Sequence, residues 1–489
     1  MQLPKNQIVI YRDDEAISAI SEVRCLRPPA AMELHDPEAG LLPPHQRDLS
    51  FRLSTSNATF RAAQHRHSRP LIIQKVPASV RGGLEERYFA PDVVSIGPYH
   101  HRASPHLVEM EQVKEAVAHE FCRSAVKAGK TTKLLAAAGA GPAVDLFLEA
   151  VRPVLPEARL CYADDGLGTM ADSDFANMMV VDGCFLLAVV AILTKDYPAE
   201  LEHWSWTHGR MLRIMKDILL FENQIPWAVV RALAALRPVR VDEFVAKVLA
   251  YLDVGSREPR FDGAPWHGLS PVHLLDLVHQ RHLGGPAAPA AGGGVRYCDY
   301  ARPFAHFTSA VELAEAGIRI HGSGTCRVTD VRVEPAAAAA LLRVGRLALP
   351  QLALSWLPRC WLINMVALEC VTDRSDQSGV SSYLAILGSL IRTERDVEEL
   401  RARRILFSTM SDQRTAEFFE ALMDPLPRQE LYLRTLEGIV QLRARRRTRS
   451  RLHAVYYRNR RIIMAAAPLL SLLVAIIGMA LSNSLKPRK

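Results

Sequence analysis

Two adjacent histidines, His100 and His101, follow a Gly-Pro turn in the stretch "VSIGPYHH", and their side chains could serve in catalysis or metal binding. Adjacent residues point in different directions on a strand or a helix, so such a pair rarely ligates one metal ion. The sequence also lacks the i,i+4 histidine pairs and paired cysteines that typical zinc sites use. We therefore predict no metal site at this turn.

A thiol and a carboxylate stand close together in "DGC", residues 182–184. A catalytic cysteine needs a lowered pKa and a nearby histidine, whereas this one lies in the apolar run "MMVVDGCFLLAVV". The stretch "AGKTT" lacks the first glycine of a phosphate-binding loop, since position 124 is Ser124. The sequence therefore predicts a non-enzymatic protein without a cofactor. The alternative is a cryptic enzyme that uses His100, Asp182, Cys184 or Glu222.

The composition of the 489-residue chain predicts a folded protein, with 49% hydrophobic and 23% charged residues. Its net charge of +8 comes from the C-terminus, where twelve Lys and Arg and no acidic residue follow Glu437. The remaining 48 basic and 52 acidic side chains give residues 1–437 a net charge of −4, which argues against a nucleic-acid partner. The eight cysteines are scattered without a paired spacing, which favours reduced thiols.

The stretch "IIMAAAPLLSLLVAIIGMAL", residues 462–481, is long and apolar enough to form one transmembrane helix. The N-terminus has no signal-peptide pattern, so we expect a single-pass tail anchor in the plasma membrane or an endomembrane. The basic flank predicts that the bulk of the chain is cytoplasmic. A lumenal domain would instead make the sequon at Asn57 relevant. We expect the flank to contact anionic lipids through Arg443, Arg445, Arg446, Arg447, Arg449, Arg451, Arg458, Arg460 and Arg461.

The periodicity of the chain predicts a mainly α fold: a large helical domain with a small β element in its second half, plus the C-terminal transmembrane helix. The predicted segments are a flexible Pro-rich extension (1–68), the helical domain (69–440) with a low-complexity loop (284–294), an Arg-rich juxtamembrane segment (441–461), the transmembrane helix (462–481) and a basic tail (482–489). Helices are expected from Pro105 and at 142–152, 178–193, 211–221, 242–252, 271–282, 361–370, 381–393, 396–405 and 414–422. The stretches "GTCRVTDVRVEP" and "GRLALPQLAL" are typical of strands.

The order of several motifs resembles the plant family called domain of unknown function 247. These motifs begin with "KVPASVR", "YFAPDVVSIGPYHH" and "LVEMEQVK", and continue with "DFANMMVVDGCFLLAVV", "RIMKDILLFENQIPW", "HLLDLVH", "SAVELAEAGIRI", "WLINMVALEC" and "SSYLAILGSLI". The chain departs from the family pattern at Ala188 and at Cys360-Trp361. The resemblance implies a membrane-associated protein without an established catalytic activity. The anchor, the large soluble body and the missing catalytic constellation together predict an interaction or signalling protein whose partner is an unidentified protein or peptide. Some grass members of the family are linked to self-incompatibility, which is one role the resemblance implies.

The motif residues are expected to specify the fold. Pro98 fixes its own φ, and Gly97 can adopt a conformation that is costly for other residues, so a buried extended run over 93–96 should turn sharply toward the helix at Pro105. We expect Tyr99 and the two histidines to hydrogen-bond backbone groups at this turn. The predicted set is Ser95, Gly97, Pro98, His100, Met110, Glu111, Lys114, Asp182, Gly183, Cys184, Asp217, Glu222, Asn223, Gln224, Pro226, Asn364 and Glu369.

Overall fold

The computed structural model describes residues 73–127, 143–163, 167–168, 170–196, 209–252, 269–284, 309–325, 327–335, 344–372, 378–423, 426, 433–445 and 447–484. The described part is mainly helical with a few short strands, which confirms the predicted fold class at that level. The predicted extension (1–68), Asn57, most of the low-complexity loop and the end of the basic tail lie outside the described residues.

The helices before the β element are α1 (Ala78–Arg81), α2 (Pro105–Lys127), α3 (Ala143–Val151), α4 (Leu155–Leu160), α5 (Asp172–Leu193), α6 (Met211–Asp217), α7 (Trp227–Leu236), α8 (Val241–Leu252) and α9 (Leu274–Leu283). Six of these helices, α2, α3, α5, α6, α8 and α9, overlap predicted positions, and α5 begins six residues earlier than predicted. Short 3₁₀ turns lie at Glu86–Tyr88 and Arg152–Val154. Helix α2 begins at Pro105 as expected, because a proline loses nothing at a first helical position, where its missing N–H would have no partner in the helix.

The second half alternates helices with five strands. Its helices are α10 (Ala310–Glu315), α11 (Trp356–Val371), α12 (Gly379–Leu390), α13 (Glu394–Ala402), α14 (Asp412–Met423), α15 (Leu433–Arg445) and α16 (Arg447–Ser484). Its strands are β1 (Ile318–Gly322), β2 (Arg332–Pro335), β3 (Gly345–Leu349), β4 (Leu352–Leu354) and β5 (Leu406–Ser408). Strand β3 pairs in parallel with β1 and antiparallel with β2, and β4 pairs in parallel with β5.

Helix α5 lies at the centre of the core of the first half and packs against α2, α3 and α7. Its apolar side chains point in every direction around the axis, and the run from Asp182 to Ala191 is buried throughout. A helix that is apolar on all sides needs neighbours on all sides or a membrane. Among the described residues, α5 is the helix that is long and apolar enough to span a membrane by itself. However, 72% of its most apolar stretch is buried inside the protein.

The C-terminal helix corrects the prediction of one uninterrupted transmembrane helix over 462–481. The segments Ser450–Asn459 and Met464–Ile477 are long and apolar enough to span a membrane only when they are taken together. The two segments are bent by 65° relative to each other. Pro468 lies inside the helix, and a proline ring clashes with the carbonyl four residues earlier, here that of Met464. The break between the two segments lies at residues 460–463, before this proline.

Two smaller differences have local causes. The helix predicted over 211–221 ends at Asp217, since the next N–H groups bond three residues back, as from Leu220 to the carbonyl of Asp217. The strands β1 and β5 were not predicted because they are five and three residues long and each follows a helix after a short turn. Such short segments give little periodic signal.

Candidate functional site

The extended run before the Gly-Pro turn is buried but forms no strand. Its backbone is held by side chains, beginning with the carboxylate of Asp217 at the end of α6. This carboxylate accepts hydrogen bonds from the N–H groups of Asp92 (2.9 Å), Val93 (2.6 Å) and Val94 (3.0 Å). Burial raises the pKa of Asp217 to about 6, against the lowering effect of Lys216 and of these N–H groups.

Asn223 continues the same pattern with its amide. Its Oδ1 accepts from the N–H of Ile96 (2.7 Å), while its Nδ2 donates to the carbonyls of Val94 (3.0 Å) and Asp217 (2.9 Å). One side chain thus ties the extended run to the end of α6. A buried backbone group without a partner costs about 1–3 kcal/mol, so these bonds replace those of a sheet.

The turn itself is fixed from α5 and α2. The N–H of Gly97 donates to Oδ2 of Asp182 (2.8 Å), and Oδ1 of Asp182 accepts from the ammonium of Lys114 (2.5 Å). Lys114 is fully buried and also donates to the carbonyl of Ser95 (2.8 Å) and to Oε1 of Glu111 (2.9 Å), which accepts from the Ser95 hydroxyl as well. Burial alone would lower the pKa of Lys114, but the carboxylates of Asp182 and Glu111 raise it, so the lysine is charged.

Glu222 closes the other side of the turn. Its Oε1 accepts from the N–H of Val76 (2.6 Å) and from Arg81 (2.5 Å), and its Oε2 lies 3.2 Å from Nε2 of His100. Burial raises the pKa of this carboxyl, but the bonds from His100 and Val76 and the charge of Arg81 outweigh it and lower the pKa.

The expectation that both histidines bond backbone groups is wrong, because both face carboxylates. His100 faces Glu222, whereas Nδ1 of His101 lies 3.7 Å from Oε2 of Glu111 on the opposite side. The expectation for Tyr99 is confirmed, since its hydroxyl donates to the carbonyl of Ile73 (2.9 Å). The histidine pair therefore bridges two separate carboxylate clusters.

Gln224 and Pro226 position the loop that carries these carboxylates. The Gln224 amide donates to the carbonyls of Ile218 (2.9 Å) and Leu220 (2.8 Å), and its Oε1 accepts from the N–H of Leu275 (3.1 Å). Pro226 then precedes the first residue of α7. The side chain of Gln224 thus connects the backbone just after α6 to the start of α9.

Two predicted residues of α11 hold other backbone groups. Asn364 accepts from the N–H of Phe221 (2.8 Å) and donates to the carbonyl of Tyr88 (2.8 Å), so it lies beside the site. Glu369 is not brought to the turn. Its carboxylate accepts from the first N–H groups of α12 (2.9 and 2.7 Å) and lies 2.6 Å from Nε2 of His279.

Cys184, Gly183 and Met110 have packing roles. Cys184 is fully buried with its Sγ 3.7 Å from that of Cys122, and burial raises the pKa of its thiol well above the ordinary value. Gly183 lets α5 approach Leu233, which a Cβ at this position would overlap. Met110 is buried on the inner face of α2. A thiol without access to solvent and with a raised pKa is a poor nucleophile.

Lys216 belongs to the site but was not predicted. It is buried, and its ammonium donates to the carbonyl of Ala90 and pairs with the Asp92 carboxylate, both at 2.8 Å. The signal in the sequence is a lysine beside an aspartate inside the otherwise apolar "RIMKDILLF". Buried charges occur almost only in pairs, so such a dipeptide predicts a buried network.

The arrangement as a whole is a backbone clamp. Five N–H groups between Asp92 and Gly97 bond to side chains from three separate segments. The ionisable side chains of the clamp that reach solvent include Asp92, His101, Arg81 and His100, which are 35%, 25%, 22% and 15% exposed. Within the described ranges, no group of three or more His, Cys, Asp or Glu side chains could hold a metal ion.

Part of the basic flank of the predicted membrane segment contacts other residues of the same protein. Arg445, Arg451 and Arg458 are exposed, and Arg458 lies 3.1 Å from a carboxylate oxygen of Glu315. Nδ1 of His453 lies 3.0 Å from the carbonyl of Glu315. The side chains of the six other arginines in the predicted lipid-contacting cluster lie outside the described part.

Replacing Gly97 with alanine tests the clamp. Gly97 has φ +79°, and a Cβ there would lie 2.5 Å from the carbonyl oxygen of Gln224. We expect Gly97→Ala to lower the free energy of unfolding by about 2–3 kcal/mol in urea denaturation. Gly83→Ala is the matched control, since a Cβ at Gly83 meets nothing within 4 Å. Equal stability of the two variants would contradict the close approach of the turn to Gln224.

Comparisons with known proteins bear on the whole described unit. The model of a family described as a plant protein of unknown function, domain of unknown function 247, matches residues 73–480. A curated UPF0481 protein of Arabidopsis thaliana is 26% identical over 372 residues, which cover 72% of each chain. No solved structure matches. The resemblance inferred from the ordered motifs is thereby confirmed.

Proposed function

The chain belongs to the plant family domain of unknown function 247, and we propose that it is a membrane-anchored, non-enzymatic protein that binds a protein or peptide partner. The observation that carries the anchor is the uncovered apolar surface of α16. Leu472, Leu473, Val474, Ile476 and Ile477 are each 48–63% exposed. Consecutive helical residues point in different directions, so no single protein face could cover them. A lipid bilayer covers such a helix on all sides.

The contrast with α5 supports this proposal. Both segments are long and apolar, but α5 is covered by its neighbours, whereas the exposed side chains of α16 continue from Ile462 (69%) to Met479 (61%). The arginines that precede the bend favour a cytoplasmic body and contact with anionic lipid heads. Because Arg458 pairs with Glu315, it holds the body close to the start of the apolar segment.

The non-enzymatic part of the proposal is supported by how the polar residues are used. Asp182 and Glu222 hold backbone N–H groups, and Cys184 is buried against Cys122. His100 with Glu222 is the pair that an enzymatic alternative would use, since it combines a base with a carboxylate at the protein surface. Turnover of a substrate by the purified chain, lost in His100→Ala, would contradict the proposal. Recognition in self-incompatibility is one form that partner binding takes in this proposal.

Arginines in the apolar segment test the anchor. Each arginine at the centre of a spanning helix costs about 2.5–3.5 kcal/mol on insertion scales, so the double variant Leu473→Arg, Ile476→Arg should leave the membrane fraction. The measurement is alkaline extraction of microsomes that carry the full chain. The matched control places arginines at Leu160 and Leu212, which are 70% and 52% exposed on the body, and should stay in the membrane pellet. Retention of the Leu473→Arg, Ile476→Arg variant in the pellet would contradict the anchor.

A further inference from the structure

A cavity of about 550 Å³ lies at the carboxyl ends of the parallel strands β4 and β5. Its lining includes the aromatic side chains of Tyr251 and Phe407 and the polar side chains of Arg401, Ser355 and Thr409. The volume is in the range of small-molecule sites, which combine apolar walls with a few polar groups.

The start of α11 adds a positive potential to this cavity. Ser355 precedes the first turn of this 16-residue helix, and its side chain makes no capping hydrogen bond. The N-terminus of a helix carries a partial positive charge with unpaired N–H groups, which favours an anion. The Ser355 hydroxyl is therefore placed to donate to a ligand in the cavity.

Two arginines lie close to Met410 beside the cavity, and only one of them has a carboxylate among the described residues as its counter-charge. Arg401 and Arg359 both donate to Met410, which follows the cavity residue Thr409. Nε of Arg401 lies 2.9 Å from the carboxylate of Asp412, so this guanidinium has a counter-charge.

Arg359 has no such counter-charge. It is only 7% exposed, its Nε has no hydrogen-bond partner, and within the described ranges no carboxylate lies within 4.0 Å of it. The rings of Tyr88 and Phe418, each 5.8 Å from its guanidinium carbon, supply weaker stabilisation. Arg359 does not line the cavity, so its charge adds to the positive potential beside the cavity without contacting a ligand there.

We propose that this cavity binds a small organic anion, a carboxylate or phosphate monoester carried on an aromatic body. The anionic group contacts Arg401, the hydroxyls of Ser355 and Thr409 and the start of α11. The aromatic body lies on Tyr251 and Phe407. The site is separate from the membrane anchor, so the two proposals fail independently: the Leu473→Arg, Ile476→Arg variant is expected to keep the anion site.

Isothermal titration of the full-length chain in detergent tests the site with phenyl phosphate, benzoate, inorganic phosphate and phenol as probes. At least one of the two aromatic anions should bind about tenfold or more tightly than inorganic phosphate and phenol, since each of these offers only half of the contacts. Tighter binding of phenyl phosphate or of benzoate identifies the anionic group. Absence of binding by both aromatic anions at millimolar concentration would overturn the proposal.

Variants locate the binding. Arg401→Gln should weaken it about tenfold or more, because a charge-assisted hydrogen bond is lost. Arg403→Gln is the control, since Arg403 lies two residues away, pairs with Glu399 and does not line the cavity. Because Arg401 also holds Asp412, the double variant Ser355→Ala, Thr409→Val provides a second test with little structural cost, and it should weaken binding by about threefold or more. Equal affinities of Arg401→Gln and Arg403→Gln, or unchanged binding by the double variant, would place the anion elsewhere and overturn the assignment.

Discussion

Replacing Lys114 with methionine is expected to lower the free energy of unfolding by about 3–5 kcal/mol at neutral pH, since a buried charge loses its partner. Lys114 is fully buried, and its ammonium is the cation between the carboxylates of Asp182 and Glu111. Without it, both carboxylates would face each other in a poorly solvated site, and the carbonyl of Ser95 would lose its donor. Methionine keeps most of the side-chain volume, so the loss reports charge rather than a cavity.

The measurement is urea unfolding of the full-length chain in mild detergent, followed by tryptophan fluorescence. Arg123→Met on the same helix is the matched control: Arg123 is 56% exposed, pairs with Glu120, and should cost less than about 1 kcal/mol. Adding Asp182→Asn to Lys114→Met should recover part of the loss, since one of the two unpaired charges is then removed. Similar losses in Lys114→Met and Arg123→Met would mean that the buried pair does not hold the turn.

The sequence predicted the long helices because their signals are local. Helix α2 follows from the proline at position 105 and from apolar residues at helical spacing, and α5 follows from one long apolar run that is interrupted by Asp182. The turn at Gly97 was likewise predicted from the conformations of two residues, and its φ of +79° agrees with that prediction. In each case the physical cause lies within a few residues of the feature.

The partners of the motif residues could not be predicted in the same way. Asp217, Asn223 and Asp182 bond to backbone groups 85–127 residues away, and no spacing in a single sequence encodes such contacts. The pairing of Lys114 with Asp182 is the contact that the sequence could have predicted. Each is a charge inside an apolar helical pattern, and two buried charges of opposite sign favour one another as partners.

Mild acid is expected to destabilise the protein through two buried histidines near the start and end of α9. Burial, helped by the neighbouring His279, lowers the pKa of His273 to about 4 against the raising effect of Asp276, and it lowers the pKa of His282 to about 3. In the unfolded chain both would titrate near pH 6.5. Below that pH the unfolded state binds more protons, so stability is lost as the pH falls from about 6.5 toward 4 and 3.

At pH 5 each histidine accounts for about 2 kcal/mol of lost stability relative to neutral pH, together about 4 kcal/mol. Asp217 opposes this by about 1 kcal/mol, because its raised pKa lets the folded state take up a proton first. A net loss of about 3 kcal/mol between pH 7 and pH 5 is therefore expected in urea unfolding.

Substitutions separate the histidines from the other groups that titrate in this range. His282→Leu should reduce the loss of unfolding free energy at pH 5 by about 2 kcal/mol. The same variant should not destabilise the protein at pH 7, because neither ring nitrogen of His282 has a hydrogen-bond partner. His273→Asn should have a similar effect at pH 5, since asparagine can still accept the N–H of Asp276 that Nδ1 of His273 accepts at the start of α9. His119→Gln, at an exposed position of α2, is the control and should leave the profile unchanged. An acid response that persists in the His273→Asn, His282→Leu double variant would assign the loss to the carboxylate clusters around the Gly97 turn.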